Sequence, residues 1–281
     1  MTQCILVGGG PAGLSAALTL SAHKVDFLWF GTESVSAKVA RAEKISNYPG
    51  LPGISGAELA AALLRQEAEA GLHPEPKTVT GVYDMGDFFG ILAENQIYEA
   101  KSVILATGVA AQRPIPGELE HLGAGVSYCA TCDGALYKGK TIAVICTVPA
   151  LAHEIPFLAS LAAKVYLVAP RLEPALPENV ERISGWPLEI AGTGRAQSLV
   201  FKDRTLAVDG VFLLKDALPP AALVGGLETQ GGHIAVDRAQ RTSLPGCFAA
   251  GDCTGRPYQL AKAVGEGNVA AHSVLEYLRH G

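Results

Sequence analysis

Aromatic residues are scarce, at 6% of 281 residues, and no basic run or basic–aromatic interleaving is present. With a net charge of −5, this makes nucleic acid an unexpected partner. No apolar stretch approaches the ~18 residues of a membrane helix, so no integral membrane segment is expected. Met1-Thr2-Gln3-Cys4 lacks a basic region and runs straight into a strand, so no signal peptide is expected and the chain is read as cytoplasmic. Six cysteines in so long a chain do not make a disulfide scaffold. Cys4, Cys146, Cys247 and Cys253 are scattered singly, without a second Cys or His pair at ligand spacing, and no metal site is expected.

What is abundant points elsewhere. Hydrophobic residues make up 49% of the chain, enough for two domains with sizeable cores. The 32 glycines suit tight turns and nucleotide loops rather than an all-β sandwich. The remaining two cysteines stand together in Ser127-Tyr128-Cys129-Ala130-Thr131-Cys132-Asp133-Gly134. A C-x-x-C pair is the usual unit of dithiol–disulfide exchange, with the first thiol's pKa lowered. Asp133 stands next to it to supply or accept a proton. Half a zinc site or two buried thiols are the bland alternatives.

The N-terminal segment reads strand, turn, helix, strand: Cys4 to Val7, then Gly8-Gly9-Gly10-Pro11-Ala12-Gly13, Leu14 to Ala22, and Val25 to Phe30. Gly8 permits the tight turn, Gly10 lets backbone approach a pyrophosphate, and Gly13 lets helix pack on strand. The helix N-terminus then faces the phosphates with free N–H groups. Glu33, twenty residues after Gly13, is placed to accept a ribose hydroxyl. Ser55 to Glu58 reads as the cap of a helix running to about Ala70. Lys77 to Val82 and Phe88 to Ala93 read as a hairpin turning near Gly86-Asp87. Val103 to Leu105 is a buried strand that ends in the small-residue turn Ala106-Thr107-Gly108.

After a linker at Gln112 to Gly117 the same architecture repeats: strand Thr141 to Ile145, helix Ala150 to Ala162, strand Lys164 to Ala169. Here the nucleotide chemistry is gone. Cys146-Thr147-Val148-Pro149-Ala150 stands where the glycines belong, and Pro149 is read as removing an N–H donor at the anion site. Ala169-Pro170-Arg171 offers no acid for a ribose and one arginine for a 2′-phosphate. Residues 171–208 show little periodicity, and Arg182, Arg195, Lys202 and Arg204 read as solvated charges, with a basic docking patch as the alternative. Gly210 to Leu214 closes this unit. Cys247-Phe248-Ala249-Ala250 is an apolar strand that delivers Gly251-Asp252 into a turn, suited to flavin phosphate and ribitol. The helix from about Tyr258 to Leu278 would bring its positive dipole end toward the flavin, or be an ordinary core helix. Cys253 is read as filling core space.

Taken together, the motifs resemble the low-molecular-weight thioredoxin reductases over nearly the whole chain. They are Gly8 to Gly13, Ser46-Asn47-Tyr48-Pro49-Gly50, Ala106-Thr107-Gly108, Cys129 to Asp133, and Phe248 to Asp252. The resemblance implies an α/β fold of two Rossmann-like domains of three-layer ββα type. An FAD domain (1–112 and 240–281) would be interrupted by a smaller, degenerate NAD(P)-binding-like domain (113–239) carrying the disulfide. It also implies FAD held by Gly8, Gly10, Pro11, Ala12, Gly13, Glu33, Asn47, Val79, Ala106, Thr107, Gly108, Gly251, Asp252, Leu260 and Ala261. Cys132 would face the flavin, Cys129 would attack the partner disulfide, and Asp133 would handle protons. A homodimer that reduces thioredoxin is implied. The NADPH glycine motif, the His-Arg-Arg cluster and a Gly-Gly-Gln run after Glu33 are all absent, so the sequence looks most like the ferredoxin-linked, pyridine-nucleotide-independent branch. A diflavin-linked oxidoreductase running thiol to flavin, or a non-enzymatic flavin and thiol sensor, are the competing expectations.

Overall fold

Thr2–Val7 (β1) has its last four residues buried and forms an inner strand of the first sheet. The computed structural model describes residues 1–31, 35, 37–40, 42–94, 96–109, 114–170, 176–215 and 220–280. After β1 come α1 (Pro11–Ala22), β2 (Phe27–Phe30), α2 (Ala37–Ala40), α3 (Gly56–Glu69), β3 (Val79–Asp84), β4 (Phe89–Ala93) and β5 (Gln96–Leu105). Then follow β6 (Val126–Ser127), α4 (Ala130–Asp133), β7 (Thr141–Cys146), α5 (Glu154–Leu161), β8 (Lys164–Val168) and β9 (Val180–Arg182). β10 (Glu189–Ala191), β11 (Ser198–Val200), β12 (Thr205–Ala207) and β13 (Gly210–Leu214) come next. The chain closes with α6 (Pro220–Leu223), β14 (Thr229–Gln230), β15 (His233–Ile234), β16 (Cys247–Ala249) and α7 (Leu260–His280).

Two compact units result: Met1–Val109 with Leu223–Gly281, and Ala110–Ala222. In the first, β1 lies between β2 and β5, all parallel. One edge of β5 is shared along its length. Its first half pairs antiparallel with β4, and Val103 to Leu105 pair parallel with β16. Helices α1 and α7 cover the sheet with a core that includes Leu6, Leu14, Leu20, Ile104, Phe248 and Val274. Truncating any of the large ones to alanine would cost about 2–5 kcal/mol. The two helices touch closely because Gly267 carries no side chain. A Cβ there would lie 2.2 Å from the Ala12 carbonyl oxygen. In the second unit β6, β13, β7, β8 and β9 form a parallel sheet in that order, and β10 to β12 form a separate antiparallel meander. The interrupted pair of Rossmann-like units is thus as expected. The capping box also forms: Ser55 Oγ accepts the Glu58 N–H at 3.2 Å, and the Glu58 carboxylate accepts the Ser55 N–H at 3.0 Å.

Four expectations need correction. The return to the first unit begins near Leu223 rather than at 240. Val224 bridges to Val82, and the Glu228 N–H donates to Ser243 Oγ, so residues 223–239 pack with the first unit. The helix expected over 150–162 is broken into a 3-10 turn at Pro149–Leu151 and α5. Pro156 has no N–H to bond backward, so the α-helix starts where Pro156 falls in its first turn. Residues 171–208, read as without periodicity, contain β9 to β12. Each is three residues long, too short for alternation to register. Finally, Pro149 is no lesion of the anion site. It sits at the start of its helical turn as Pro11 does in α1, where the missing N–H has no helical partner anyway.

Candidate active site

Three parallel strands of the first unit deliver their carboxyl ends to one edge, the place where open α/β sheets bind ligands. β1 leads into Gly8–Gly13, β5 into Ala106–Gly108, and β16 into Gly251–Asp252. Gly8 has φ +119°, and a Cβ there would stand 2.1 Å from the Ala106 carbonyl oxygen, so the two turns touch only because that residue is glycine. Gly13 is equally obligatory, since its Cβ would fall 1.9 Å from the Gly8 oxygen.

Gly10 is different. Its backbone is extended, and a Cβ would meet nothing within 4 Å. Protein packing does not require glycine there. Space is left clear in front of α1, where the Leu14 N–H closes the first turn onto the Gly10 carbonyl at 2.9 Å. The Ala12 and Gly13 N–H groups ahead of it have no partner within the helix. Open room plus unpaired donors fits a pyrophosphate.

Gly251, at φ +87°, packs its Cα against Ala12, whose Cβ would be 3.0 Å from an added one. This turn is clamped by residues that the sequence reading gave no role. Glu266 accepts the Gly251 N–H at 2.8 Å and the Thr254 hydroxyl at 2.9 Å. Lys262 donates to the Gly251 carbonyl at 2.9 Å, to Thr254 Oγ1 at 3.0 Å and to Glu266 at 3.0 Å. Asn47 reaches the N-terminus of α7 by donating to Gln259 Oε1 at 2.7 Å, beside Leu260 and Ala261. Val79 opens β3 and is buried. It follows the Glu75 segment, which bridges Phe30 at the end of β2. Glu33 lies outside the described residues.

The second unit carries the Cys129–Cys132 disulfide, with Cα atoms 5.3 Å apart. Cys129 caps α4. Its Sγ accepts the Cys132 N–H at 3.2 Å, and the Thr131 hydroxyl lies 3.6 Å away. Its own N–H donates to Ser127 Oγ at 3.1 Å. Cys132 is exposed, and Asp133 follows it, half-buried, with its N–H on the Cys129 carbonyl at 3.3 Å. The other thiols are buried. Burial pushes Cys4 and Cys247 up to about 12 and Cys253 to about 11, so they stay protonated and inert. No cluster among the described residues is built to hold a metal ion.

The nucleotide turn of this unit is closed. Val148 takes the place that Gly10 holds in the first unit, capping a turn that begins with proline, and its side chain is buried. The Cys146 thiol donates to the Val148 carbonyl at 3.3 Å. The Leu151 and Ala152 N–H groups are both bonded, to the Val148 and Pro149 carbonyls at 3.1 Å. Leu151 stands where Gly13 does in the first unit, so a donor left without a helical partner there is bonded here, and a buried valine replaces the open glycine.

Known proteins match this architecture. The family model described as pyridine nucleotide-disulphide oxidoreductase matches residues 2–186 and 187–267. The thioredoxin reductase of Helicobacter pylori (strain J99 / ATCC 700824) is 34% identical, over 100% of both chains. Among solved structures, a ferredoxin-flavin thioredoxin reductase from Clostridium acetobutylicum is 42% identical with a TM-score of 0.91, covering 100% of this chain and 99% of that one. The atypical thioredoxin reductase of Desulfovibrio vulgaris Hildenborough is 30% identical with a TM-score of 0.73, over 100% and 99%. FAD is the cofactor of these enzymes, and the Gly8–Gly13 cradle with its open Gly10 fits it. The chain belongs to the pyridine nucleotide-disulphide oxidoreductase family, as a flavoprotein disulfide oxidoreductase of the thioredoxin reductase type.

Proposed function

We propose that this chain passes electrons through the Cys129–Cys132 disulfide to thioredoxin and draws them from reduced ferredoxin rather than NADPH. The observation that carries the choice of donor is the closed turn at Val148–Leu151, with a buried valine in place of the open Gly10 and the Leu151 N–H bonded internally. The name of the Clostridium acetobutylicum protein points the same way. Bound FAD supplies the ability to take electrons one at a time and to deliver a pair to a disulfide.

The cofactor would be held by Gly8, Gly10, Pro11, Ala12 and Gly13 at the pyrophosphate, and by Glu33 at a ribose. Gly251 and Asp252 would meet the ribitol side, with Asn47, Val79, Ala106, Thr107, Gly108, Leu260 and Ala261 completing the set. Opening the disulfide with two electrons frees Cys129 and Cys132. The Cys132 N–H on Cys129 Sγ favours the thiolate at Cys129, which attacks one sulfur of the thioredoxin disulfide. Thioredoxin's leaving thiolate takes a proton from Asp133. Cys132 then gives its proton to Asp133 and attacks the mixed disulfide, restoring the Cys129–Cys132 bond. The second thioredoxin sulfur takes that proton as dithiol thioredoxin leaves, and the two protons carried away come from water when the disulfide is next opened.

The reaction is downhill. A plant-type ferredoxin near about −400 mV and thioredoxin near about −270 mV differ by ~130 mV, or roughly 6 kcal/mol for two electrons. A homodimer in the cytoplasm belongs to the same proposal, and sedimentation returning a monomer would remove that part. The test is anaerobic stopped-flow bleaching of the flavin absorbance by reduced ferredoxin, NADPH and NADH. Fast bleaching by ferredoxin alone is expected, slowing as salt screens the encounter. Rapid, saturable bleaching by NADPH would overturn the choice of donor.

A further inference from the structure

Among the described residues, Glu118 and Lys215 make the only ion pair with both side chains under a tenth exposed, at 0% and 6%. Lys215 Nζ lies 2.8 and 2.7 Å from the two carboxylate oxygens. The Tyr128 hydroxyl donates to Glu118 Oε1 at 2.5 Å, and the Ile115 N–H donates to Oε2 at 2.7 Å. Each oxygen therefore receives two donors, and the carboxylate is saturated. A buried pair of this kind seldom stabilises a fold more than apolar residues of the same size would. Its location suggests a more specific use.

Lys215 directly follows β13, and Tyr128 directly follows β6, its neighbour in the sheet, with Phe212 opposite Ser127. The network thus closes over the carboxyl ends of two adjacent strands. It grips the residue immediately before Cys129. The Cys129 main chain is held a second time by Ser127, whose Oγ accepts its N–H at 3.1 Å and donates to its carbonyl at 3.2 Å. Cys132 stands exposed on the short α4. Burial first, and the bond to Glu118 second, raise the Tyr128 phenol's pKa above its ordinary value, so it stays a donor.

We propose that Glu118 and Lys215 are positioning residues for the redox disulfide, fixing Cys129 through Tyr128 so that closure of the Cys129–Cys132 bond is favoured. This rests on the reading of that pair as the exchanging one. Two thiols held in register have a high effective concentration toward each other, and loosening one lowers it. Closure joins the two sulfurs, and its two electrons and two protons pass to an oxidised dithiol such as oxidised dithiothreitol.

The experiment equilibrates the holoenzyme anaerobically at set ratios of reduced to oxidised dithiothreitol, then alkylates and scores the Cys129–Cys132 peptide by mass. Tyr128→Phe removes the hydroxyl bond and leaves the ion pair intact. Its closure constant should fall about three- to tenfold, a part of the tenfold or more that one hydrogen bond to a charged group is worth, because the bond contributes to both the open and the closed form. Glu118→Leu/Lys215→Met removes the acceptor without stranding a charge and should shift the constant in the same direction. Melting temperatures are recorded alongside. A closure constant unchanged in Tyr128→Phe, whatever its melting temperature, would make the network merely structural and overturn the inference. Wild type that never exchanges with dithiothreitol would instead overturn the reading of the pair, and this inference with it.

Discussion

Replacing Gly10 by valine separates the cofactor cradle from the fold. Gly10 has φ −74° and ψ −178°, a backbone that valine accepts, and an added Cβ would meet no protein atom within 4 Å. The fold should lose only about 0.5–1 kcal/mol, the usual penalty for a poor N-cap residue. Flavin binding should lose far more. The isopropyl group would occupy the room in front of the Ala12 and Gly13 N–H groups. Two hydrogen bonds to a charged group are worth roughly 3–6 kcal/mol together, which is about a hundred- to ten-thousandfold in Kd. The assay is fluorescence titration of apoprotein with FAD, beside thermal melts of both apoproteins. Gly8→Ala is the contrast, because its Cβ would sit 2.1 Å from the Ala106 oxygen and should lower the apoprotein melt itself. A Gly10→Val protein that binds FAD within threefold of wild type would refute the placement of the cofactor.

Three further outcomes are expected. Cys132→Ser should abolish electron transfer between flavin and sulfur, whereas Cys129→Ser should leave Cys132 able to perturb the flavin spectrum; equal transfer rates in wild type and Cys132→Ser would contradict these roles. Glu266→Ala should weaken FAD binding about ten- to a hundredfold by freeing the Gly251 N–H from its carboxylate, and unchanged affinity would remove the clamp from the account. Cys4, Cys247 and Cys253 have folded pKa values raised by burial to about 12, 12 and 11. Unfolded thiols titrate near about 8.5, so above that pH the unfolded state binds fewer protons and stability falls until the folded values are passed. Melts across pH 8 to 11 check the sign, and a stability that rises over this range would contradict it.

Features whose physics is local were legible in the sequence. The Gly13 clash with Gly8 arises within one strand–turn–helix, and the Ser55–Glu58 box spans three residues, so spacing alone reported them, whereas the Gly8 clash is with Ala106, far along the chain. The turn near Gly86-Asp87 was marked by its residue types, and Gly86 does take a positive φ there, with its N–H on Asp84 Oδ1 at 2.9 Å. Other features depend on partners far away in the chain. Lys262 and Glu266 stand one helical turn apart and drew no role from the sequence, and only folding lays them on the Gly251 turn. Glu118 and Lys215 are 97 residues apart and carry no shared pattern. The boundary near Leu223 shows in the Val224–Val82 bridge and the Glu228–Ser243 bond, which no composition shift announces. Proline was misjudged in both directions: Pro149 was given a role it lacks, while Pro156, which breaks the helix, drew no notice.

The most direct test of the central claim is steady-state appearance of thioredoxin thiols under anaerobic conditions, with each electron donor supplied in excess. Reduced ferredoxin should sustain many turnovers per enzyme, and NADPH and NADH should sustain none above the enzyme-free rate. Sustained thioredoxin reduction by NADPH, with none from ferredoxin, would contradict the account.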